Sequence, residues 1–204
     1  MKIGLIGYGK MNRLIEKACQ YPIVCITRDY VKDFSADLYI DFSHASLVKA
    51  NALLLAEKNK TLLIGTTGWD APEIKTAFNE RGAALYLPNF SIEVAKFCEI
   101  ALQMTKLFGP PDKATEWHHK SKKDAPSGTA KRLSSHFDTP WDSIRTEETI
   151  FKHSLQWKEI TLTHEAKDRT AYVQGALEAA KWLYGKKGWH DDFCRTLHTA
   201  HHSL

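Results

Sequence analysis

The chain has 204 residues and a mass of 23.2 kDa, enough to bury one large or two small hydrophobic cores. Apolar residues make up 43% and charged residues 25%, a balance that excludes a disordered tail or a membrane-embedded chain. A net charge of +4 and an isoelectric point near 8.8 suit an anionic small molecule and fall short of a nucleic-acid-binding surface.

The four cysteines, Cys19, Cys25, Cys98 and Cys194, are scattered without a C-x-x-C. That spacing excludes a disulfide framework or a cysteine metal site, and reduced thiols in a cytoplasmic chain are expected. No metal, membrane or nucleic-acid partner is expected. No apolar stretch reaches membrane-span length. The first apolar patch follows a single lysine and is broken by glycine, so it is too short for a secretory signal.

The first half alternates short apolar runs with helical periods. Strands are predicted over 2–6, 23–27, 38–40, 61–64 and 84–87, and helices over 10–19, 47–58 and 72–80. Pro72 suits a first helical turn. Such alternation implies a parallel, Rossmann-like sheet with crossover helices, an α/β domain. Ligands bind such sheets beyond the carboxyl ends of the strands. Gly7-Tyr8-Gly9, Asp41-Phe42-Ser43, Gly65-Thr66-Thr67-Gly68 and Asn89-Phe90-Ser91 fall at those ends.

Beyond residue 91 the pattern changes. A long amphipathic helix is predicted over 92–108, a strand over 115–118, a helix over 127–137 and a polar, turn-rich stretch over 138–147. A hairpin follows over 149–152 and 158–164, then a helix over 170–184, a break at 185–188 and a short final helix. The predicted organisation is a nucleotide-binding domain of residues 1–91 with 185–204, and a second α+β domain of residues 92–184.

Gly7-x-Gly9 after a strand and before a helix fits the dinucleotide-binding turn. The first glycine allows the tight turn, and the second lets the backbone approach a pyrophosphate. Lys10 and Met11 open the helix, and Asn12 stands at the place of a third glycine. Arg28 and Asp29 lie side by side after the second strand, where an arginine favours a 2′-phosphate and an acid grips the ribose. The cofactor is therefore expected to be NADH or NADPH. Asp41 is balanced between a turn cap and a cofactor-side role.

The most informative segment is Glu116-Trp117-His118-His119-Lys120-Ser121-Lys122-Lys123-Asp124-Ala125-Pro126-Ser127-Gly128-Thr129-Ala130. Adjacent histidines titrate near neutral pH. Lysines and a Ser-Gly-Thr helix start suit a carboxylate or phosphate. The pattern fits an acid held beside a small dianion. Lys120 and Lys123 read as a solvated face, Asp124 as a turn residue, and the His198, His201 and His202 cluster as a frayed tail.

This segment resembles the E-x-H-H-x-x-K-x-D-A-P-S-G-T-A hallmark of the dihydrodipicolinate (4-hydroxy-tetrahydrodipicolinate) reductase family in full. The strand-end clusters above and the Thr163-His164 to Gly175-Ala176 stretch follow in the family's order. The resemblance implies NAD(P)H-dependent reduction of a cyclic dicarboxylate in lysine and diaminopimelate biosynthesis. It also implies an open mixed sheet in the second domain and a homotetramer. It makes His118 the proton donor and Lys122 its catalytic partner. His119, Lys122, Ser127, Gly128 and Thr129 would hold the substrate carboxylates, and Thr67 would lie near both nicotinamide and substrate. Gly7, Gly9, Lys10, Met11, Arg28, Asp41, Phe42, Gly65, Thr67, Asn89, Phe90 and Arg169 are the candidate cofactor residues. The chain departs from the family at Asn12, at Glu93, in the short 27–38 connection, and near 145–149. There Glu147 and Glu148 replace a glycine-histidine pattern. Two rivals, a dehydrogenase for another acid and a nucleotide-binding relative without turnover, have no reason to keep the histidines, Lys122 and the Ser-Gly-Thr start together.

Overall fold

The computed structural model describes residues 1–120, 122, 125–148 and 151–191. In chain order the elements are β1 (Ile3–Ile6), α1 (Lys10–Ala18), β2 (Ile23–Thr27), β3 (Leu38–Asp41), α2 (Ala45–Glu57), β4 (Thr61–Ile64), α3 (Pro72–Glu80) and β5 (Ala83–Tyr86). There follow α4 (Ile92–Phe108), β6 (Lys113–His119), α5 (Gly128–Ser134), β7 (Trp141–Thr146), β8 (Phe151–Trp157), β9 (Ile160–Ala166), α6 (Thr170–Leu183) and β10 (Gly188–His190). The chain divides into two compact units. Among the described residues, one is Met1–Phe90 with 173–191, and the other is Ser91–Tyr172.

The first unit is a six-stranded parallel sheet in the order β10-β5-β4-β3-β1-β2. Its central strands β1, β3, β4 and β5 are buried on both faces, as the interior of a parallel sheet requires, while the edge strands β2 and β10 are partly exposed. Ile3, Leu5, Leu38, Ile40, Leu63 and Leu85 point to one face, where Ile15 of α1 and Val173, Ala176, Ala180 and Leu183 of α6 cover them. Ile6, Tyr39, Leu62, Ile64 and Ala84 point to the other, covered by Val48, Ala52 and Leu55 of α2 and Ile74 and Phe78 of α3. Each large side chain so buried contributes roughly 1.5–3 kcal/mol. The order reverses at β1, and the adjacent carboxyl ends of β1 and β3 form the crevice where such folds bind ligands.

The second unit is a four-stranded mixed sheet, β7-β6-β8-β9. β6 pairs parallel with β7 and antiparallel with β8, which pairs antiparallel with β9. One face packs Ala114, Leu155 and Trp157 against Val94, Phe97 and Ala101 of α4 and Leu133 of α5. The register places Ser143, Glu116, His153 and His164 in one row across the sheet, and Arg145, His118 and Phe151 in the next.

Three expectations are corrected. The polar stretch over 138–147 contains strand β7, whose Asp142 and Ser143 obscure its alternation; it pairs on one side only. The α6 helix from Val173 belongs to the first unit and not to a 92–184 domain, because its apolar face joins the core of the parallel sheet. After the break, residues 188–190 form β10 beside β5 rather than opening a helix; Gly188 N–H donates to the Gly82 carbonyl at 3.0 Å. The rest of the expected final helix lies outside the described residues, with His198, His201 and His202, Ser121, Lys123, Asp124 and residues 149–150. Among the described residues no helix is long and apolar enough to cross a membrane.

Candidate active site

At the carboxyl ends of β1, β3 and β4, an open cleft of about 370 Å³ is lined by Lys10, Met11, Phe42, Ser43, His44, Ala45, Gly65, Thr66 and Thr67. Gly7 turns the chain with φ 80°, and a Cβ there would stand 2.5 Å from the Ser43 Cα. Gly9 is the N-cap of α1 and supplies no side-chain cap, so the first-turn N–H groups have no intrahelical acceptor. A Cβ on Gly9 would meet nothing within 4 Å. This cradle fits a pyrophosphate.

Asn12 explains the missing third glycine. Its Nδ2 is buried and donates to the carbonyls of Ile6 at 2.8 Å and Gly7 at 2.6 Å. The amide thus holds the turn from beneath; a glycine there would take this donor from the Gly7 carbonyl, while the Ile6 carbonyl would keep only Phe42 N–H at 3.0 Å. Asn12→Gly is expected to cost about 1–3 kcal/mol. A urea midpoint unchanged from the parent would refute this role.

Asp41 is fully buried at the end of β3 and accepts from Ser43 N at 2.8 Å, Ser43 Oγ at 2.6 Å and Thr66 Oγ1 at 2.8 Å. Burial pushes its carboxyl above the ordinary range. Through Oδ1, Asp41 caps the turn after β3 and braces the cleft floor. After β2, Arg28 and Asp29 are exposed. The 28–37 segment is pinned by Asn51, whose Oδ1 accepts Val31 N at 2.9 Å and whose Nδ2 donates to Asp29 O at 3.0 Å. A cavity of about 410 Å³ lined by Ile26, Asp29, Tyr30 and Lys32 lies there.

The second unit buries a cluster of titratable side chains. Glu116 is fully buried on β6. Its two oxygens accept Ser127 N–H at 3.0 and 3.1 Å, and Oε1 accepts Ser143 Oγ at 2.7 Å. Oε2 lies 3.3 Å from His118 Nε2 and 4.0 Å from His153 Nε2. Ser127 caps α5, its Oγ accepting Ala130 N at 3.3 Å and meeting His153 Nε2 at 3.3 Å. Lys122 N donates to His119 O at 2.9 Å, and Arg145 Nε donates to Lys122 O at 3.2 Å.

Burial pushes Glu116 up, but the contacts with His118, Ser127 and Ser143 outweigh it and hold the carboxyl at about 2. Burial, then the charge of His118, holds His153 at about 3, so this ring is neutral at working pH. Both groups take up protons more readily in the unfolded chain, so stability rises with pH across this window. The Glu116 contribution is complete above 4.5 and is lost as pH falls towards about 2. The cost of keeping His153 neutral grows from 6.5 down to about 3. Asp41, raised by burial, runs in the opposite sense. The urea midpoint is expected to fall from pH 7 towards pH 3, with His153→Leu flattening the upper part of the slope. A parent midpoint that stays flat between pH 6.5 and 4 would contradict the assignment.

One ligand atom each from Glu116, His118 and His153 lies within 4.8 Å of the others, a spacing a metal triad could share. Metal-bound histidines almost always donate their outer N–H to an orienting partner. Nδ1 of both rings makes no hydrogen bond among the described residues.

The family description "Dihydrodipicolinate reductase, N-terminus" matches residues 21–90, and "Dihydrodipicolinate reductase, C-terminus" matches residues 93–193. The chain belongs to the dihydrodipicolinate reductase family. A curated 4-hydroxy-tetrahydrodipicolinate reductase from Thermosipho africanus is 30% identical, over 92% of this chain and 93% of that protein. One from Myxococcus xanthus is also 30% identical, over 76% of this chain and 70% of its own. A dipicolinate-bound dihydrodipicolinate reductase from Paenisporosarcina shares the fold with a TM-score of 0.77, at 16% identity, over 96% of this chain and 98% of that one.

Within the reductase-family fold, Lys10, Met11, Phe42, Gly65 and Thr67 come together in one cleft, and Gly7 and Gly9 form the adjoining turn. A Cβ on Gly65 would run into the Phe42 ring. Phe90 is buried, edge-on to Phe42 with centroids 5.8 Å apart, so its side chain is core; Asn89 beside it is half-buried. Arg169 lies in the second unit, its guanidinium 5.0 Å over the Phe151 ring. His118, Ser127 and Thr129 are buried, while His119, Lys122 and Gly128 are half-buried. Lys120 pairs with Glu147 on the surface. Glu93 sits in the first turn of α4, accepting Ser91 Oγ at 2.9 Å, where a negative charge complements the helix dipole.

Sequence reasoning missed His153, Ser143 and Asn51. His153 occupies an inward position of β8, alternating with Leu155 and Trp157. A histidine in an otherwise apolar alternation was the available signal, but the predicted strand stopped at residue 152.

Proposed function

We propose that this chain is a 4-hydroxy-tetrahydrodipicolinate reductase that uses NADH or NADPH to reduce a cyclic unsaturated dicarboxylate to tetrahydrodipicolinate. The observation that carries this reading is the ionised Glu116 buried beside His118 and bonded to the Ser127 start of α5, in a chain with the family's full hallmark.

The parallel-sheet unit supplies the cofactor cradle: Gly7 and Gly9 leave the α1 N–H groups open to the pyrophosphate, and Gly65 and Thr67 border the nicotinamide end. The nicotinamide cofactor supplies the hydride. In the second unit, Lys122, His119, Ser127, Gly128 and Thr129 hold the two carboxylates through charge and hydrogen bonds. His118 gives a proton to the ring atom on which negative charge develops. A cytoplasmic homotetramer completes the reading. It is supported by the family resemblance and by exposed Ile144 and Ile160 on the mixed sheet, at 41% and 44%.

The test is loss of dihydronicotinamide absorbance with substrate made in situ by condensing pyruvate with aspartate semialdehyde. Turnover with either cofactor supports the reading. Absence of turnover with both, in protein that still binds cofactor by calorimetry, refutes it.

A further inference from the structure

A proton donor alone does not explain why so many polar groups are buried around it. Glu116 and His118 lie two residues apart on the covered face of β6. Glu116 stands opposite His153 on β8 and opposite Ser143 on β7. The carboxylate is held from two sides, by Ser127 N–H and the Ser143 hydroxyl, which leaves Oε2 facing His118 Nε2 at 3.3 Å.

The His118 ring is 4% exposed and walled in. His153 meets it at 74° with centroids 5.4 Å apart, and Phe151 at 67° and 6.1 Å. Nδ1 of His118 hydrogen-bonds nothing among the described residues. Nε2 lies within 3.3 Å of Glu116 Oε2 without a formed hydrogen bond, and no other polar group is bonded to it among the described residues. A nitrogen lone pair aimed at a carboxylate oxygen at this range is repulsive, whereas an N–H is attractive. The other charged or titratable groups nearby are Arg145 on β7, with NH1 4.0 Å from Glu116 Oε1, His153 on β8, His164 on β9 and Lys122 in the turn.

We propose that Glu116 is the positioning residue of His118: it keeps a proton on Nε2, so that Nδ1 is the nitrogen that delivers the proton to substrate. This rests on the reductase reading. The Nδ1–H bond breaks and its proton joins the ring atom that holds the electron pair left by hydride addition. The cofactor is oxidised and the ring reduced by two electrons. The neutral Nε2–H imidazole remains and regains a proton from water. The logic is that of a carboxylate fixing a histidine's tautomer and steadying its charged form.

The first test needs no variant. Long-range nitrogen–proton NMR of the nitrogen-15-labelled chain, at a pH where the rings are neutral, reads each histidine's tautomer, and His118→Gln assigns the signals. A proton on Nε2 of His118 is expected, and a proton on Nδ1 or a fast mixture would overturn the proposal. The second test is kinetic. Glu116→Gln should lower kcat about tenfold to hundredfold, with KM for the dicarboxylate within about threefold of the parent. A kcat within about twofold of the parent would overturn it. If the parent has no reductase activity, the function fails while the NMR result still decides the tautomer. If Glu116→Gln does not fold, the NMR result decides alone.

Discussion

His118→Gln is expected to lower kcat by about a hundredfold to ten-thousandfold with NAD(P)H affinity unchanged. The loss is large because the ring is buried in the acid–base row, where a glutamine amide fills the space but cannot carry a transferable proton. Cofactor affinity is spared because the glycine turn and the α1 N-terminus belong to the other unit. Steady-state kinetics measures the first part and calorimetry with NADH the second. A kcat within a few-fold of the parent would remove His118 from the chemistry. A parallel loss of cofactor affinity would show that the substitution acts through the fold.

Gly175→Ala is expected to destabilise the protein by about 2–3 kcal/mol and to lower Tm by roughly 4–12 °C. A Cβ at position 175 would overlap the Phe90 carbonyl oxygen, closer than any van der Waals contact. The obstacle is backbone, and a rotamer change cannot relieve it. Either α6 moves off the sheet, opening the cluster of Val173, Ala176, Ala180 and Leu183 against Ile3 and Leu5, or the Asn89-Phe90 loop shifts. The second route would disturb Phe42, which packs edge-on against Phe90 and borders the cleft. Thermal melts of parent and variant decide the matter, and equal Tm values would mean that the contact is slack.

The parallel-sheet half was legible because its signals are local. Strands β1 to β4 are short apolar runs ending at Gly, Asp or Thr, and each helix shows its own period, so β2, β4 and α3 appear at the predicted residues; the three-residue β10 carries no such signal. β7 was not legible: it is an edge strand with polar Asp142 and Ser143, recognisable only from its pairing with β6. Where α6 packs was equally hidden, since an apolar face does not say which sheet it covers. In the site, His118, Lys122 and Ser127 follow from one contiguous motif. The row Ser143, Glu116, His153 and His164 spans four strands and exists only once register is set. Asn12 departs from the glycine pattern, yet its side chain bonds the turn that the glycines shape.

The most direct test of the central claim follows the hydride itself. The chain, the in situ substrate and cofactor carrying deuterium at the transferable nicotinamide position are incubated, and the product is examined by mass spectrometry. One deuterium in tetrahydrodipicolinate, with its formation sharply slowed in His118→Gln, is the predicted result. Tetrahydrodipicolinate without deuterium, or none formed by protein that binds both cofactor and dipicolinate, would contradict the account.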